Sequence, residues 1–423
     1  MPSLKLSLYS ALWWLLLPVA LVRLWWRGRK EAGYRAHIAE RFGFTPDVPS
    51  PLLWVHAVSV GETRAAEPLI RALLQRYPSH HILLTHMTPT GRATGATLFG
   101  NEPRVQQSYL PYDTLTMTRR FIARTRPQLG VLMETEVWPA LIDACHQAGV
   151  PLALVNARLS ERSLRRAKRF EGLLGDAVKN IELIAAQTDA DAKRLGQLGA
   201  PCVCVTGNLK FDITPPELML SLGAQWRKQI GQRLVLLCAS TREGEEALLL
   251  DAYMRSTLPR QFLLMIVPRH PQRFSEVAQM LEQRDLHYVR RSQLGDAALS
   301  AETHVLLGDS MGEMFAYYAA CDIAFIGGSL LPLGGQNLIE ALSCGKPVLV
   351  GSHTFNFAQI TEDAVSAGVA QRVTGAAQVI SDASALLQDP DKLQRLSSRA
   401  VAMTVDARGA TYKTLDLLVP LIH

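Results

Sequence analysis

Short apolar runs recur along most of the chain, and segments with helical periodicity or turn residues separate them. The pattern is clearest between His304 and Gly351, where three apolar runs alternate with two helical segments and with turns rich in Gly and Ser. Apolar runs of about four to eight residues are typical of strands buried on both faces, and their alternation with helices is typical of parallel βαβ units. The pattern therefore predicts an α/β fold with parallel sheets.

The predicted strands form two series, one in each half of the chain. In the first series the strands are Leu52–Val58, Ile82–His86, Gly130–Met133, Leu152–Asn156, Leu183–Gln187 and Val203–Thr206. In the second series they are Leu234–Ala239, Leu263–Val267, His287–Val289, His304–Leu307, Ile323–Ile326 and Val348–Val350. The predicted helices include Glu31–Gly43, Glu62–Arg76, Ser163–Leu174, Met311–Ala320 and Asn337–Leu342.

These two series predict two tandem Rossmann-like domains. We expect the first at residues 28–212 and the second at residues 233–423, with the last helix of the chain either in the second domain or packed back on the first. Residues 213–232 are expected to form the crossing, where Pro215 and Pro216 prevent a continuous helix or strand. Because ligands of such domains bind beyond the carboxyl ends of the strands, two domains suit a reaction between two substrates.

Residues 1–27 are predicted to be a membrane anchor. The 17 residues from Leu6 to Val22 carry no charge, and as a helix they would extend about 26 Å, which is marginal for crossing a bilayer. Four of the seven tryptophans lie within residues 1–27, and two of them, Trp25 and Trp26, lie beside arginines that suit the headgroup layer. No small-residue cleavage site follows the apolar run, which disfavours a cleaved signal peptide. Pro18 would kink a spanning helix, so both a spanning and a flat anchor stay open.

The net charge of +6 is concentrated at the N-terminus. Lys5, Arg23, Arg27, Arg29 and Lys30 precede the first acidic residue, so the rest of the chain is about neutral. A nucleic-acid-binding protein would spread its cations over a folded face, whereas cations beside an apolar segment favour a membrane surface. More Lys and Arg follow the apolar run than precede it, which predicts a cytoplasmic body. The six cysteines show no paired zinc-ligand spacing and are expected to be buried thiols in a reducing compartment.

Two glycine-rich turns in the second series favour a nucleotide site. The first contains Gly308, Ser310, Gly312 and Glu313, and the second runs from Gly334 to Glu340. Glycine allows close approach of a phosphate to backbone N–H groups at a helix start, and the carboxylates could bind ribose hydroxyls. For either turn alone, an equally good explanation is that the glycines only permit tight turns.

Acidic residues follow two strands of the first series. Glu62 lies at a helix start after the turn that contains Ser59 and Gly61, where it could act as a general base or only interact with the helix dipole. Glu134 and Glu136 lie two residues apart after the third predicted strand. They could orient hydrogen-bond donors, share a proton, bind a sugar or hold a pair of metal ions. Alternatively, Thr135 or Glu136 could only begin the helix that Pro139 admits in its first turn.

Cationic and amide side chains follow several of the predicted strands. Asn208, Lys210, Arg158, Arg242 and Arg269 all lie in turns at strand carboxyl ends. A single arginine in such a turn is usually part of a surface ion pair. Several of them at the same edge of the sheets favour a strongly anionic substrate, because arginine binds phosphate and carboxylate groups well.

Eight motifs resemble those of the Kdo transferase family, in which Kdo is 3-deoxy-D-manno-octulosonic acid. In chain order they are HAVSVGE, METEVWP, NARLS, GNLKFD, ASTREGEE, VPRHPQRF, GDSMGEM and GGQNLIEA. Members of this family attach Kdo to the lipid A precursor in Gram-negative bacteria. The resemblance covers nearly the whole chain and extends to the N-terminal apolar segment.

The resemblance implies an inverting glycosyltransferase of the B type that uses CMP-Kdo and needs neither a metal nor a cofactor. It implies an acceptor-binding first domain, a donor-binding second domain, and a place on the cytoplasmic face of the bacterial inner membrane. Glu62 would be the general base. The CMP-binding residues would be Arg242, Arg269, Gly308, Ser310, Gly312, Glu313, Asn337 and Glu340. The residues around the transferred sugar would be Ser59, Gly61, Glu134, Glu136, Asn208 and Lys210.

Two other functions are compatible with the same pattern. One is another two-domain glycosyltransferase or a sugar-nucleotide epimerase, although an epimerase has no use for a tryptophan-rich anchor. The other is a catalytically silent nucleotide-binding protein tethered to the membrane, which would tolerate loss of Glu62 and release no CMP.

Overall fold

A computed structural model describes residues 3–29, 31–256 and 262–422. The chain forms two compact units. Unit 1 contains the residues up to Asp212 together with those from Ala407 onward, and unit 2 contains Ile213–Asp406.

Within the described residues, unit 1 is built on one seven-stranded parallel sheet with the order β3-β2-β1-β4-β5-β6-β7. The strands are β1 (Leu52–His56), β2 (His81–His86), β3 (Val105–Tyr109), β4 (Leu129–Met133), β5 (Leu152–Ala157), β6 (Leu183–Ala186) and β7 (Val203–Val205). The helices are α1 (Leu4–Arg27), α2 (Val60–Arg76), α3 (Pro89–Phe99), α4 (Leu115–Thr125), α5 (Pro139–Ala148), α6 (Glu161–Arg169), α7 (Glu171–Lys179) and α8 (Asp189–Gly196).

Unit 2 has a second seven-stranded parallel sheet among the described residues, with the order β10-β11-β9-β8-β12-β13-β14. Its strands are β8 (Leu234–Thr241), β9 (Phe262–Pro268), β10 (Tyr288–Arg290), β11 (Val305–Leu307), β12 (Ile323–Ile326), β13 (Val348–Val350) and β14 (Ala370–Arg372). Its helices are α9 (Glu217–Ile230), α10 (Glu245–Arg255), α11 (Arg273–Glu282), α12 (Met314–Ala320), α13 (Ile339–Ser343), α14 (Ala358–Ser366), α15 (Ala376–Leu387) and α16 (Pro390–Asp406).

Each sheet is covered on both faces, as the apolar runs predicted. In β1 the side chains of Leu52 and Trp54 join one core cluster, and those of Leu53 and Val55 join the cluster on the opposite face. The parallel sheets with helices confirm the α/β, two-domain Rossmann-like prediction. In unit 1 the strand order reverses between β1 and β4, and in unit 2 it reverses between β8 and β12. Ligands of doubly wound sheets bind at these reversal points.

The end of the chain packs in unit 1. Helix α17 (Ala410–Leu418) places Leu415 and Leu418 in the core cluster that contains Leu69 of α2. The Asp212 carboxylate accepts a hydrogen bond of 2.6 Å from the N–H of Gly409, at the start of α17. The segment expected to form the crossing contains α9, which packs in unit 2 through Trp226, whose ring lies 4.9 Å from that of Tyr317.

Helix α1 is the one helix, among the residues described, that is long and apolar enough to cross a membrane. It contains Pro18 and continues through it. One side of the helix packs on unit 1, where Leu17 contacts Tyr112 and Met117. The opposite side exposes large apolar side chains to solvent. Length and composition therefore agree with the predicted anchor, and the packing adds a contact with the globular unit.

Several predicted elements differ from the structure. The helix predicted at Glu31–Gly43 is wrong, because the segment forms two short 3-10 helices separated by His37, whose φ of 54° is left-handed. The helix predicted at Ser163–Leu174 is divided into α6 and α7 at Phe170. Two edge strands, β3 and β14, were not predicted from the sequence, and both carry polar side chains.

Candidate active site

Glu62 lies in the first turn of α2, directly beyond β1. Ser59 caps this helix, with its hydroxyl oxygen 3.4 Å from the N–H of Glu62. In return the Glu62 carboxylate accepts hydrogen bonds from the N–H of Val58 at 2.8 Å and from the Ser59 hydroxyl at 3.2 Å. This reciprocal arrangement is close to a capping box. Glu62 thus stabilises the helix start, and a role as a base uses the same carboxylate.

Burial raises the pKa of Glu62 to about 7, and the nearby carboxylates of Glu136 and Glu134 add to this effect. A carboxyl group with a pKa near the working pH is well suited to accept a proton from a hydroxyl group. Gly61 lies beside it and is exposed, and a Cβ at this position would meet nothing nearer than the Ser59 hydroxyl at 3.9 Å. Packing therefore does not explain a glycine at position 61.

Glu134 is paired with two cations. It follows β4 directly, has a left-handed φ of 56°, and is 5% exposed. Its carboxylate accepts hydrogen bonds from Lys210 Nζ at 2.7 Å and from Arg158 Nε at 3.0 Å. Asn208 helps to hold Lys210 in place, since its amide oxygen accepts a hydrogen bond of 3.0 Å from the backbone N–H of Lys210. The turns after β4, β5 and β7 therefore meet at Glu134.

Glu136 has a different environment. Its carboxylate accepts a hydrogen bond of 2.7 Å from the indole N–H of Trp138, and burial together with Glu134 raises its pKa to about 6. The Nε2 atom of His56 lies 3.9 Å from it and has no hydrogen-bond partner among the described residues. Complete burial lowers the pKa of His56 to about 3, so this imidazole is neutral. It cannot compensate the charge of Glu136.

Unit 1 therefore brings together Ser59, Glu62, Glu134, Glu136 and Lys210 at the point where the strand order reverses. His56 and Trp138 were not among the sequence candidates, although both lie inside the quoted motifs. Among the described residues, no group of three His, Cys, Asp or Glu side chains is placed to hold a metal ion. The absence of a metal requirement stays a prediction.

Arg242 is the first residue, in chain order, of the candidate site in unit 2. It follows β8, it is half-buried, and within the described part of the chain its guanidinium group has no hydrogen bond or ion pair. Arg269 follows β9, and its N–H donates to the carbonyl of Thr241 at 2.9 Å. Burial lowers the pKa of His270, and Arg242, Arg269 and Arg273 lower it further. Arg242 and Arg269 therefore lie close to the imidazole of His270 at this edge of the sheet.

The carboxylate of Glu245 holds the loop after β12 in place. Glu245 was not among the site residues proposed from the sequence. It is fully buried and accepts three backbone N–H groups, from Arg242 at 3.0 Å, Gly328 at 2.6 Å and Leu330 at 3.0 Å. The neighbouring Glu246 is also fully buried and pairs with Arg273. The two carboxylates hold the loops around Arg242 in place, and Arg273 is occupied in this structural pair.

Ser310 and Glu313 lie together beyond β11. The Ser310 hydroxyl donates to Glu313 at 2.5 Å, and Arg291 donates to the other carboxylate oxygen at 2.9 Å. The two glycines of this turn are required for different physical reasons. Gly312 has a left-handed φ of 82°, whereas a Cβ on Gly308 would lie 2.6 Å from Val267 Cγ2. Arg291 also lies over the ring of Trp226, 4.5 Å from its centroid.

Asn337 and Glu340 form the last predicted pair of unit 2. The side-chain amide of Asn337 donates to Glu340 at 3.3 Å, and its oxygen accepts the N–H of Ile339 at 3.1 Å. Gly334 and Gly335 precede them with left-handed φ angles of 93° and 76°. Both predicted helices begin later than expected, since α12 starts at Met314 and α13 at Ile339.

Comparisons with known proteins identify the family of the chain. Residues 36–213 match the family model of 3-deoxy-D-manno-octulosonic-acid transferase (kdotransferase), and residues 287–403 match that of group 1 glycosyl transferases. The chain is 46% identical to the 3-deoxy-D-manno-octulosonic acid transferase of Bordetella pertussis, over 95% of this chain and 96% of that protein. It is 37% identical to the transferase of the same name from Haemophilus influenzae, over 98% of each chain.

A solved structure supports the fold. The crystal structure of UDP-GlcNAc 2-epimerase from Neisseria meningitidis aligns with a TM-score of 0.55 at 18% identity, over 84% of this chain and 99% of that one. This likeness concerns the fold alone. The identities to the Bordetella and Haemophilus proteins are high and extend over nearly the whole chain, so this protein belongs to the 3-deoxy-D-manno-octulosonic acid transferase family and is an enzyme that transfers Kdo.

Proposed function

We propose that this enzyme transfers one or more Kdo residues from CMP-Kdo to the lipid A precursor, with inversion at the anomeric carbon and release of CMP. The observation that supports this proposal best is the position of Glu62. Its carboxyl group lies beyond β1 at the reversal of strand order, with a pKa raised to about 7, beside two further carboxylates. That position and pKa suit a general base for an acceptor hydroxyl group.

In the proposed reaction, the acceptor hydroxyl oxygen attacks the anomeric carbon of Kdo while Glu62 takes the hydroxyl proton. The bond between that carbon and the phosphate oxygen of CMP breaks, and its electron pair leaves with CMP. Positive charge develops on the sugar in the transition state, by analogy with glycoside hydrolysis. A single displacement inverts the anomeric centre and needs one base and no covalent intermediate.

Unit 2 is proposed to bind CMP-Kdo. Arg242 and Arg269 would neutralise the charge that develops on the leaving phosphate, which is the usual function of arginine in such sites. Ser310, Glu313, Asn337 and Glu340 would hold the nucleoside, with Gly308 and Gly312 in the supporting turn. Because arginines can balance the phosphate charge, we propose that the reaction needs no metal ion and no cofactor.

Unit 1 is proposed to bind the acceptor. Ser59, Gly61, Glu134, Glu136, Asn208 and Lys210 would surround the reacting groups, with Lys210 held in place by Glu134. The acceptor is a lipid, and α1 carries an exposed apolar face. We therefore propose that the enzyme works at the cytoplasmic face of the inner membrane, where α1 confines it to the leaflet that contains its substrate.

The test is the release of CMP from CMP-Kdo by the purified full-length enzyme in EDTA, with and without a tetra-acylated lipid A precursor in detergent. Mass spectrometry of the acceptor counts the sugars added. We expect acceptor-dependent CMP release and a mass gain of one or more Kdo units, and Glu62→Gln should slow both by about 10²–10⁴-fold while CMP still binds. Transfer that requires added Mg²⁺, or no transfer to this acceptor, would contradict the proposal.

A further inference from the structure

Helix α1 contacts the rest of unit 1 near both ends of the helix. Close to its start, the Tyr9 hydroxyl donates to the buried carboxylate of Asp113 at 2.8 Å. At its end, the guanidinium group of Arg35 donates to the carbonyl of Trp25 at 3.0 Å. Leu17 is buried between these two contacts. A helix held along its length by a globular unit cannot enter a bilayer end first unless that unit enters with it.

The opposite side of α1 is a continuous apolar stripe. Its large side chains are spaced three or four residues apart, so they lie on one face of the helix, and each is more than half exposed. They are Leu4, Leu8, Leu12, Leu15, Val19, Val22 and Trp26. The stripe is about 33 Å long. An exposed apolar surface of this length indicates a partner that covers it.

Helix α6 is the second part of this surface and is strongly basic. Its apolar side chains, Leu164 and Ala167, face the core. Its exposed arginines are Arg162, Arg165, Arg166 and Arg169. None of these four guanidinium groups has a hydrogen bond or an ion pair with any side chain or carbonyl in the described part of the protein. Unpaired arginines on one short helix suit the phosphate groups of an anionic surface.

Helix α7, which follows α6 directly in the chain, contacts α1 near its start. Phe170 lies between α6 and α7 and is 63% exposed. Gly172 of α7 lies beside the Nζ atom of Lys5 in α1. An exposed Phe beside cations also occurs on helices that lie in the membrane interface. We refer to the apolar stripe of α1, Phe170 and the four arginines of α6 together as the α1–α6 surface.

We propose that the α1–α6 surface binds anionic phospholipids, with α1 lying flat in the headgroup layer rather than spanning the bilayer. The apolar stripe would enter the boundary of the acyl chains, and the α6 arginines would bind lipid phosphates. Helix α6 follows Arg158, which pairs with Glu134, so the membrane contact begins next to the candidate site of unit 1. This inference rests on the proposed membrane location and adds the orientation and the lipid chemistry.

The first experiment measures sedimentation of the full-length enzyme with vesicles of phosphatidylcholine alone or with about one third phosphatidylglycerol. In the test variant, Arg162, Arg165, Arg166 and Arg169 are all replaced by Gln. At low salt we expect its affinity for the anionic vesicles to fall about 100-fold or more, because each cation near an anionic surface adds several-fold to binding. Its affinity for neutral vesicles should not change.

The matched control replaces four exposed cations elsewhere, Lys392, Arg395, Arg408 and Lys413, by Gln. The control loses the same charge, so a similar loss of binding would overturn the proposal for α6. Kdo transfer to detergent-dispersed acceptor should be unchanged in both variants. A raised KM for that acceptor in the α6 variant would instead assign these arginines to the acceptor's own phosphates. Failure of transfer in the unaltered enzyme would refute the proposed function but not the lipid-binding result.

The second experiment tests the orientation of α1. A protease is added to inverted inner-membrane vesicles, which expose the cytoplasmic face, containing the enzyme with an N-terminal epitope. If α1 lies flat, both of its ends are on the cytoplasmic side and the epitope is removed without detergent. If the epitope is protected until detergent is added, α1 spans the membrane and the flat orientation is wrong.

Discussion

Lys210 donates a hydrogen bond of 2.7 Å to Glu134, a residue 76 positions earlier in the chain. With Arg158 on its other oxygen, Glu134 is compensated by two cations. Glu62 and Glu136 have no such cation within hydrogen-bonding distance among the described residues, and burial raises their pKa values to about 7 and about 6. The three neighbouring carboxylates therefore differ in function, with one that organises the site and two that can exchange protons near neutral pH.

Lys210→Met should lower the free energy of unfolding. Glu134 is 5% exposed, and the variant would leave it with Arg158, whose side chain is half exposed. Removing one partner of a buried ion pair costs about 3–5 kcal/mol, and we expect the lower end of this range because Arg158 remains. Urea unfolding followed by circular dichroism measures the change. Lys413→Met, at an exposed position, should have little effect. Equal stability of the two variants would refute the pairing.

Glu62 should give the reaction its pH dependence. A base must be deprotonated to act, so kcat should rise with pH through about 7 and level off above it. Glu62→Gln should lower kcat by about 10²–10⁴-fold and remove this rise, because it removes general-base catalysis. Rates measured from pH 5.5 to 8.5 with saturating substrates test both points. A variant that keeps the same pH profile would show that another group is the base.

The raised pKa of Glu62 should also make the stability of the protein depend on pH. The folded-state pKa of Glu62 is about 7, above its ordinary value of 4.5, so the folded protein holds a proton that the unfolded chain releases. This contribution to stability is present below about pH 4.5 and is lost as the pH rises through about 7. Glu62→Gln lacks it. The variant should therefore gain stability relative to the unaltered enzyme between pH 5 and pH 8 in urea unfolding, and a constant difference would contradict the raised pKa.

Arg242 and Arg273 should respond differently to replacement by Ala. Arg242 has no ion pair within the described residues, so its loss should change stability by less than about 0.5 kcal/mol and weaken CMP binding, measured by calorimetry, about tenfold or more. Arg273 pairs with the fully buried Glu246, so its loss should cost about 3–5 kcal/mol. Unchanged CMP affinity in Arg242→Ala would exclude its proposed contact with the phosphate.

The sequence predicted the elements that depend on local composition. The fully buried strands such as β1 and β4 are mainly apolar, and the turn before Glu62 placed this residue at a helix start. The polar edge strand β3 was missed because its composition resembles a loop. The predicted helix at 31–43 failed at His37, whose left-handed backbone no pattern in the sequence indicates.

The contacts between distant segments could not be predicted. Glu245 binds the N–H of Gly328, 83 residues away, and Asp212 binds that of Gly409, 197 residues away. Such pairs depend on which loops the sheets bring together. For the same reason the sequence indicated that α1 is apolar but not which side of it packs on unit 1.

The contact between α1 and unit 1 centres on Asp113. Its carboxylate is 1% exposed, and besides the Tyr9 hydroxyl it accepts the N–H groups of Ala140 at 3.2 Å and Leu141 at 2.8 Å, in the first turn of α5. Helix α5 follows Trp138, which binds Glu136. Asp113 therefore connects the apolar N-terminal helix to the loop that carries two of the site carboxylates.

Tyr9→Phe should destabilise the protein in a pH-dependent way. Burial raises the pKa of Asp113 to about 6 from its ordinary 3.8, and the hydrogen bond from Tyr9 opposes this rise. The stability that the raised pKa gives is therefore lost as the pH rises through about 6, and without Tyr9 the loss should be larger. We expect the substitution to lower the free energy of unfolding by about 1–3 kcal/mol at pH 8 and by less at pH 5. The reason is that a hydrogen bond to an ionised carboxylate is stronger than one to a protonated carboxyl group. Urea unfolding at the two pH values measures it, with Tyr412→Phe, at an exposed tyrosine, as the control. Equal costs at both pH values would mean that Asp113 stays in one protonation state over this range.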